Sequence, residues 1–376
     1  MTVKILKGDC REVLRMLADE SVHCVVTSPP YWGLRDYGTA TWEEGDAGCD
    51  HKAGKNDTNN GAIRGGPFRD NCGKCGARRI DSQLGLESDF NTYVCEMVAV
   101  FREVRRVLRK DGTLWLNLGD SYASSINGRK AADIVDDDRT FRDKPFSTVT
   151  NDWQSRVGSS GNRGNLGADH AFRISDPIFK PKDLCGIPWR VAFALQADGW
   201  WLRQDIIWSK PNPMPESVTD RCTKAHEYLF LLSKSERYFY DAEAIREDGP
   251  SYVRKPGHCS DESADAYVHS RQTNMSIRTI VTNGRNKRSV WEIATAPFSE
   301  AHFATFPPAL IEPCIKAGCP QGGTLLDPFG GAGTTGLVAD RLGRNAILIE
   351  LNPEYAAMAD RRIRDDAGMF ASVAAE

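Results

Sequence analysis

"GTLLDPFGGAGTTGLVADRLGRNAILIELNPEY", residues 323–355, decides how this chain folds. The apolar run TLLD (324–327) reads as a strand, TTGLVADRLG (334–343) as a helix, and AILIE (346–350) as a second buried strand that ends on Glu350. Between the first strand and the helix lies a glycine-rich turn. Gly331, Gly333 and Gly336 stand at the G-x-G-x-x-G spacing, and an acid at the end of the next strand can accept from ribose hydroxyls. A dinucleotide site and a tight turn with no ligand both remain open on that spacing alone. Two details narrow it. Asp327, just before the turn, would repel a pyrophosphate but suits a cationic amino acid group, and the forty residues after Gly336 are too few for the second half of a dinucleotide fold. A nucleoside with a positive tail fits, and S-adenosylmethionine is that molecule.

Working outward, regular elements alternate with polar stretches. VKILKGD (3–9) is a short strand, CREVLRMLADE (10–20) an amphipathic helix with Val13, Leu14 and Leu17 inward, and VHCVV (22–26) a buried strand, together a βαβ start. YVCEMVAVFREVRRVLRKDG (93–112) reads as a helix closed by Gly112 after a basic last turn, followed by the strand TLWLNLG (113–119). A helix at PWRVAFALQADG (188–199), strands at LRQDIIWS (202–209) and EYLFLLSK (227–234), and a helix-strand-helix-strand-helix series from Pro307 complete the pattern. It predicts an α/β sheet interrupted by three polar insertions. The organisation reads as regular segments at 1–38, 83–123, 183–240 and 301–376, separated by a Cys/His-bearing insertion at 39–82 and polar stretches at 124–182 and 241–300.

Composition sets limits. In 376 residues, 40% apolar side chains suffice for a sizeable core, and a formal charge of -3 excludes a globally basic nucleic-acid binder while leaving local patches open. There is no N-terminal apolar stretch and no run of about 18 apolar residues, so neither a signal peptide nor a membrane span is expected. A cytoplasmic setting follows, in which the 11 cysteines are reduced thiols or metal ligands rather than disulfides.

The string TSPPYWGLRDYG (27–38) closes the strand at 22–26 on a stiff, aromatic-tipped corner. Its TSPPYW resembles the catalytic motif of DNA methyltransferases that modify exocyclic amino groups, and DPFGGAGTT (327–335) resembles their cofactor motif. The order, catalytic motif first and cofactor motif last, is similar to the permuted order of the β-class. The resemblance covers both ends and residues 83–240, not the three insertions. It implies a Rossmann-like methyltransferase sheet with helices on both faces, in which 1–38, 83–123 and 183–240 are the catalytic domain, 301–376 its cofactor-binding part and 241–300 a target-recognition region. It also implies S-adenosylmethionine as methyl donor, double-stranded DNA as partner, and a bacterial or phage-encoded enzyme of DNA modification, as in restriction-modification. Homodimerisation is left open.

The corner suits that chemistry. An exocyclic amine is a poor nucleophile because its lone pair is delocalised into the ring, so acceptors must draw on its hydrogens as the methyl arrives. Ser28 Oγ and the Pro29 carbonyl can do so, because Pro29 and Pro30 fix the carbonyls outward and donate nothing themselves. Tyr31 can stack on a flipped base, and Trp32 beside it is expected at the DNA. Alternatively, the prolines simply end a strand and the aromatics are core.

Further pieces match the family. The resemblance carries cofactor contacts to Phe329, Gly331, Gly333, Thr334 and Glu350, and to Asp327 through the cationic tail. KGDC (7–10) makes Asp9 an acceptor for the adenine amino group, or a helix N-cap, or both. HFATFPPAL (302–310) puts Phe306 and Pro307 at the methionine end. NLGDSY (117–122) and WSKPNPMPE (208–216) resemble strand ends flanking the base pocket, with Asn212 in a loop that can clasp DNA. Methylation at ring carbon 5 needs a cysteine nucleophile after a proline; Cys314 in EPC (312–314) and Cys319 in GCPQ (318–321) only superficially qualify and are read as core or surface thiols.

The first insertion has its own signature. GCDHKAGK (48–55) and NCGKCGARR (71–79) supply Cys49, His51, Cys72 and Cys75 in a stretch too polar for its own core, so a structural Zn2+ in a Cys3His site is expected. For target selection, residues 271–290 carry Arg271, Arg278, Arg285, Lys287 and Arg288 with no acid among them. Serine before Pro-Pro-Tyr is common among cytosine-N4 enzymes and aspartate commoner among adenine-N6 enzymes, yet the longer string resembles adenine-directed relatives more often. Adenine N6 is therefore expected ahead of cytosine N4, with an RNA or protein-glutamine substrate as a further alternative.

Overall fold

The computed structural model describes residues 1–33, 37, 39–46, 48–49, 51, 71–87, 89–123, 178–180, 182–248, 251–254, 278–281, 284–296, 305–367 and 373–375. Its strands are β1 (Val3–Lys7), β2 (Val22–Thr27), β3 (Thr41–Glu43), β4 (Arg78–Ile80), β5 (Leu108–Leu118), β6 (Trp201–Ser209), β7 (His226–Ser233), β8 (Ser251–Arg254), β9 (Arg278–Val281), β10 (Val290–Glu292), β11 (Thr324–Asp327), β12 (Asn345–Glu350) and β13 (Val373–Ala375). The helices are α1 (Cys10–Met16), α2 (Phe90–Val107), α3 (Ile187–Ala197), α4 (Pro308–Gly318), α5 (Thr334–Arg341) and α6 (Pro353–Ala367).

Nine strands form one sheet in the order β10-β6-β7-β5-β2-β11-β12-β1-β13. Only β7 runs against its neighbours, pairing antiparallel with both β5 and β6. Parallel strands need both faces covered, and the side chains alternate accordingly. Val22 and Val25 of β2 join the core under α1, α2 and α3, whereas Cys24 and Val26 join the core under α4, α5 and α6. Helices lie on both faces, as the resemblance implies. Two hairpins stand outside the sheet, β3–β4 and β8–β9.

Two local expectations change. The βαβ start is not a contiguous unit, because β11 and β12 lie between β2 and β1 and β1 pairs with β12 instead. Helix α2 begins after the N-cap Asp89 and stops at Val107, five residues before Gly112, with β5 starting at once on Leu108. The register against β2 jumps between Val22↔Leu108 and Cys24↔Thr113, so the expected helix end is a bulge. Gly112 is needed there for space: a Cβ would sit 2.5 Å from Leu108 Cγ. The expected recognition stretch lies only in part among the described residues. Arg278 lies in β9, whose side chains are not described, and Arg271 lies outside the described residues.

Candidate active site

The carboxyl ends of β2 and β11 form the site. The two strands are adjacent and parallel, pairing Cys24 with Leu325 and Val25 with Leu326. From β11 the chain crosses by α5 to β12 on one side, while β2 leads to β5 on the other. Such a switch of direction opens a crevice at the strand ends, where α/β sheets take their ligands. Thr27 Oγ1, the last residue of β2, donates to Asp327 Oδ1, the last residue of β11, at 2.6 Å across 300 positions of sequence. The two motifs are therefore joined by a direct bond.

On the β11 side, Asp327 corrects the sequence reading. Its carboxylate is 1% exposed and accepts from Thr27 Oγ1, from Thr335 Oγ1 (2.6 Å) and from the Phe329 amide (3.1 Å). Burial pushes its carboxyl above the ordinary range, and those three donors pull it back only in part. With its oxygens so engaged, it fastens the turn rather than facing a cationic tail. Gly331 (φ 50°) and Gly333 (φ 76°) need left-handed backbone, and a Cβ on Gly333 would meet Ala359 Cβ at 2.8 Å. Glu350 closes the turn: Oε2 accepts from the Gly331 amide (2.7 Å) and Oε1 from the Asn352 amide (2.8 Å). The carboxylate is only partly buried, so lone pairs remain for a ligand.

Asp9 caps α1, accepting from the Arg11 amide at 2.8 Å, and also takes the Arg11 guanidinium through both oxygens. Burial pushes its carboxyl up, but Arg11 outweighs this and leaves it below its usual value. Thr334, buried, accepts from Arg362 Nη1 (2.9 Å). Pro307 opens α4, and Phe306 is half-buried against the core below it. Phe329 packs partly buried against the opposite core.

On the β2 side, Ser28 and Pro30 are partly exposed and Pro29 is buried. Tyr93 OH donates to the Pro30 carbonyl at 2.9 Å, fixing the corner from behind. The Tyr31 hydroxyl donates to Glu227 Oε2 at 2.8 Å and lies 3.1 Å from Asn117 Oδ1 and 3.4 Å from Ser28 Oγ. Lys210 pairs with the other oxygen of Glu227. Burial, then the Glu227 charge, pushes the Tyr31 phenol far up, so it stays a neutral donor. Its ring lies on Gly119, where a Cβ would stand 2.5 Å from Tyr31 Cε2. Gly119→Ala should therefore displace the ring and lower unfolding free energy by about 1–3 kcal/mol. A urea midpoint equal to the parent's would show that the ring has room.

Trp32 is a correction. It is 1% exposed, donates from Nε1 to the Glu87 carbonyl (2.9 Å), and meets Phe90 edge-on at 6.3 Å. An indole with both its surface and its N–H satisfied in the core does not touch DNA. Sequence reading also missed Glu227, Lys210 and Gly119. Asn117 and Gly119 lay inside a motif already quoted, whereas Glu227 was hidden at the start of an apolar strand.

The basic stretch is less free than its composition. Glu247 accepts from Arg285 Nε (3.2 Å) and Arg288 Nε (2.9 Å), and Lys287 lies over the Trp291 ring at 4.9 Å. An acid 38 positions upstream of Arg285 thus offsets a run that contains none. Asn212 exchanges bonds with Thr295, accepting from its amide at 3.0 Å. Lys210 pairs with Glu227, and the buried ammonium of Lys224 lies 3.9 Å from Asp120. Cys314 and Cys319 are fully buried, and burial pushes both thiols up, as inert core thiols. Cys49, His51, Cys72 and Cys75 come together at the insertion, their ligand atoms within 4.8 Å of one another. Among the described residues, no helix is long and apolar enough to cross a membrane.

Comparison with known proteins gives a consistent picture. Residues 22–361 match the N6/N4 methyltransferase family, described as DNA methylase. The chain is 41% identical to the Type II methyltransferase M.SmaI of Serratia marcescens over 361 residues, covering 96% of this chain and 90% of that one. It is 39% identical to the Type II methyltransferase M.Cfr9I of Citrobacter freundii, over 96% of this chain and 88% of that one. Among solved structures, the fold is shared with PvuII DNA methyltransferase (cytosine-N4-specific) at TM-score 0.53 and 17% identity, over 99% of this chain and 96% of that one. It is also shared with a Thermus thermophilus protein described as a DNA modification methylase and complexed with S-adenosyl-L-methionine, at TM-score 0.50 and 20% identity, over 100% of this chain and 99% of that one.

Proposed function

This chain belongs to the DNA methylase family that acts on exocyclic amino groups, an S-adenosylmethionine-dependent DNA methyltransferase, and we propose that its transfer site is the crevice between Ser28–Tyr31 and Asp327–Glu350. The observation that carries this reading is the Thr27–Asp327 bond, which joins the base-side corner to the cofactor-side turn.

The residues at β11 and β12 fit the cofactor. Gly331 and Gly333 let the backbone approach a ligand closely, and Glu350 receives ribose hydroxyls on its remaining lone pairs. Phe306, Pro307 and Phe329 offer apolar surface, Thr334 opens α5 directly after the turn, and Asp9 receives the adenine amino group beside its bonds to Arg11. Bound there, S-adenosylmethionine supplies an electrophilic methyl on a sulfonium. Ser28 Oγ and the Pro29 carbonyl accept the hydrogens of the base amine, pulling the N–H bonds out of the ring plane so that the lone pair leaves conjugation with the ring and points at the methyl. Tyr31, held at its hydroxyl by Glu227, offers a ring face to the flipped base, and stacking returns roughly 1–3 kcal/mol of the energy lost on flipping.

Glu350→Ala should weaken S-adenosylmethionine binding about ten- to a hundredfold, as expected for about 1.5–3 kcal/mol of charge-assisted hydrogen bonding. Unchanged affinity by calorimetry would remove Glu350 from the cofactor site.

For the base, we take cytosine N4 as the first reading. The corner is neutral: Ser28 stands where adenine-directed enzymes more often have aspartate, and the nearby carboxylates are engaged, Asp327 by two threonines and Glu227 by Lys210 and Tyr31. PvuII DNA methyltransferase, which shares the fold, is itself cytosine-N4-specific. Adenine N6 is the second reading, favoured by the longer string at 27–38. Nucleoside mass spectrometry of duplex DNA methylated by the protein decides: N4-methylcytosine is expected, and N6-methyladenine alone overturns the first reading.

A further inference from the structure

We propose that Cys49, His51, Cys72 and Cys75 hold one structural zinc ion that closes the outer end of the 39–82 insertion. Cys49 Sγ lies 3.9 Å from Cys72 Sγ, and Cys75 Sγ lies 3.5 Å from His51 Nδ1. A tetrahedral ion with zinc–sulfur bonds of about 2.3 Å and a zinc–nitrogen bond of about 2.05 Å sets its ligands ~3.8 Å apart for two sulfurs and ~3.6 Å for sulfur and nitrogen. The observed pairs match that polyhedron. A Cys49–Cys72 disulfide needs about 2.05 Å and is not formed.

The surroundings are built for the cluster. The turn 72–76 is closed by the Gly76 amide donating to the Cys72 carbonyl (2.9 Å), and the Lys74 amide points at Cys72 Sγ (3.5 Å), as amides do toward metal-bound thiolates. Gly45, at φ 77°, passes so close that a Cβ would stand 2.9 Å from Cys75 Sγ. The Trp42 ring stacks on His51 at 4.8 Å and 14°, orienting the imidazole. His51 itself takes φ 46°, a strained backbone for a residue with a side chain, of the sort found where a site over-determines it. Three soft thiolates and an imidazole select zinc over a hard cation, and four protein ligands leave no position for a reacting water.

The position explains the use. From the cluster, β3 and β4 pair Thr41 with Ile80, and further rungs follow: Thr39 Oγ1 to Asp81 (3.0 Å), the Tyr37 amide to Gln83 (2.7 Å), and the Gly33 amide to the Gly85 carbonyl (2.8 Å). This ladder ends one residue beyond Trp32, directly behind the catalytic corner. A metal at its outer end closes a long segment whose composition is too polar for a core of its own.

The test is elemental analysis of the full chain purified without chelator. About one zinc per chain is expected, and Cys72→Ser with Cys75→Ser should lose it, while Cys95→Ser and Cys222→Ser, exposed thiols outside the cluster, should keep it. His51→Cys should also keep it, since a thiolate replaces the imidazole, so the result does not hang on a variant that fails to fold. Cobalt in place of zinc should give the visible absorption of a tetrahedral thiolate site. Chelation should hasten proteolysis within 39–82 and leave S-adenosylmethionine affinity within about twofold. Protein without metal, zinc retained by the double variant, or cobalt without tetrahedral bands overturns the site.

Discussion

Ser28→Ala is expected to lower the methyl-transfer rate constant about 100- to 1,000-fold while leaving S-adenosylmethionine affinity unchanged. The hydroxyl is partly exposed at the crevice, and its described intramolecular contact is a long one, 3.4 Å to Tyr31 OH, so little folding energy depends on it. What it offers is an acceptor beside the point where the base amine must lose its planarity, an interaction realised in the transition state rather than in binding. Tyr31→Ala should act differently. It removes the platform for the flipped base and leaves Glu227 paired to Lys210 alone, so the apparent KM for DNA should rise along with the fall in rate. Tyr31→Phe, which keeps the ring and loses the bond to Glu227, should fall between the two. Single-turnover kinetics with labelled cofactor, beside calorimetry of cofactor binding, separates these effects. Cofactor affinity falling in step with rate for Ser28→Ala would place the hydroxyl on the wrong side of the crevice.

The parts of this site legible in sequence are those set by short-range rules. A glycine turn between a strand and a helix, a Pro-Pro corner at a strand end, and Cys-x-x-Cys beside Cys-x-His all write their geometry into a few consecutive residues. What could not be read depends on partners far along the chain. Asp327 looked like a ligand carboxylate because Thr27, 300 residues away, cannot be seen beside it. Arg285 and Arg288 looked uncompensated because Glu247 lies outside their stretch. Trp32 looked like a surface aromatic because its cover comes from Phe90 and Phe179. Strand order was hidden for the same reason: the pairing of β1 with β12 joins the two ends of the chain. Glu227 shows the reverse failure, a charged residue overlooked because the mostly apolar run after it reads as a buried strand.

Asp327→Ala should destabilise the fold by roughly 3 kcal/mol and weaken S-adenosylmethionine as a consequence, not through a lost contact with the ligand. Removing the carboxylate strands the Thr27 hydroxyl and the Phe329 amide in the core and leaves the Thr335 hydroxyl only its long bond of 3.4 Å to the Val26 carbonyl, and each buried donor left unpaired costs about 1–3 kcal/mol. Those three bonds tie β2, β11 and α5 together, so the turn that carries Gly331 and Gly333 loses its anchor. Asp327→Asn is the discriminating variant, because it keeps an acceptor of the same size without the charge. Burial raises the folded carboxyl's pKa above its unfolded value, so its favourable contribution is full below the unfolded value and declines as pH rises through the folded one. The asparagine has no such titration. Urea unfolding from about pH 4 upward should therefore show the parent losing its advantage over Asp327→Asn as pH rises, while Asp327→Ala stays low throughout. A stability gap that widens with pH would mean that the carboxylate prefers its charged form here. In that case its charge, rather than its hydrogen bonds alone, holds the two motifs together.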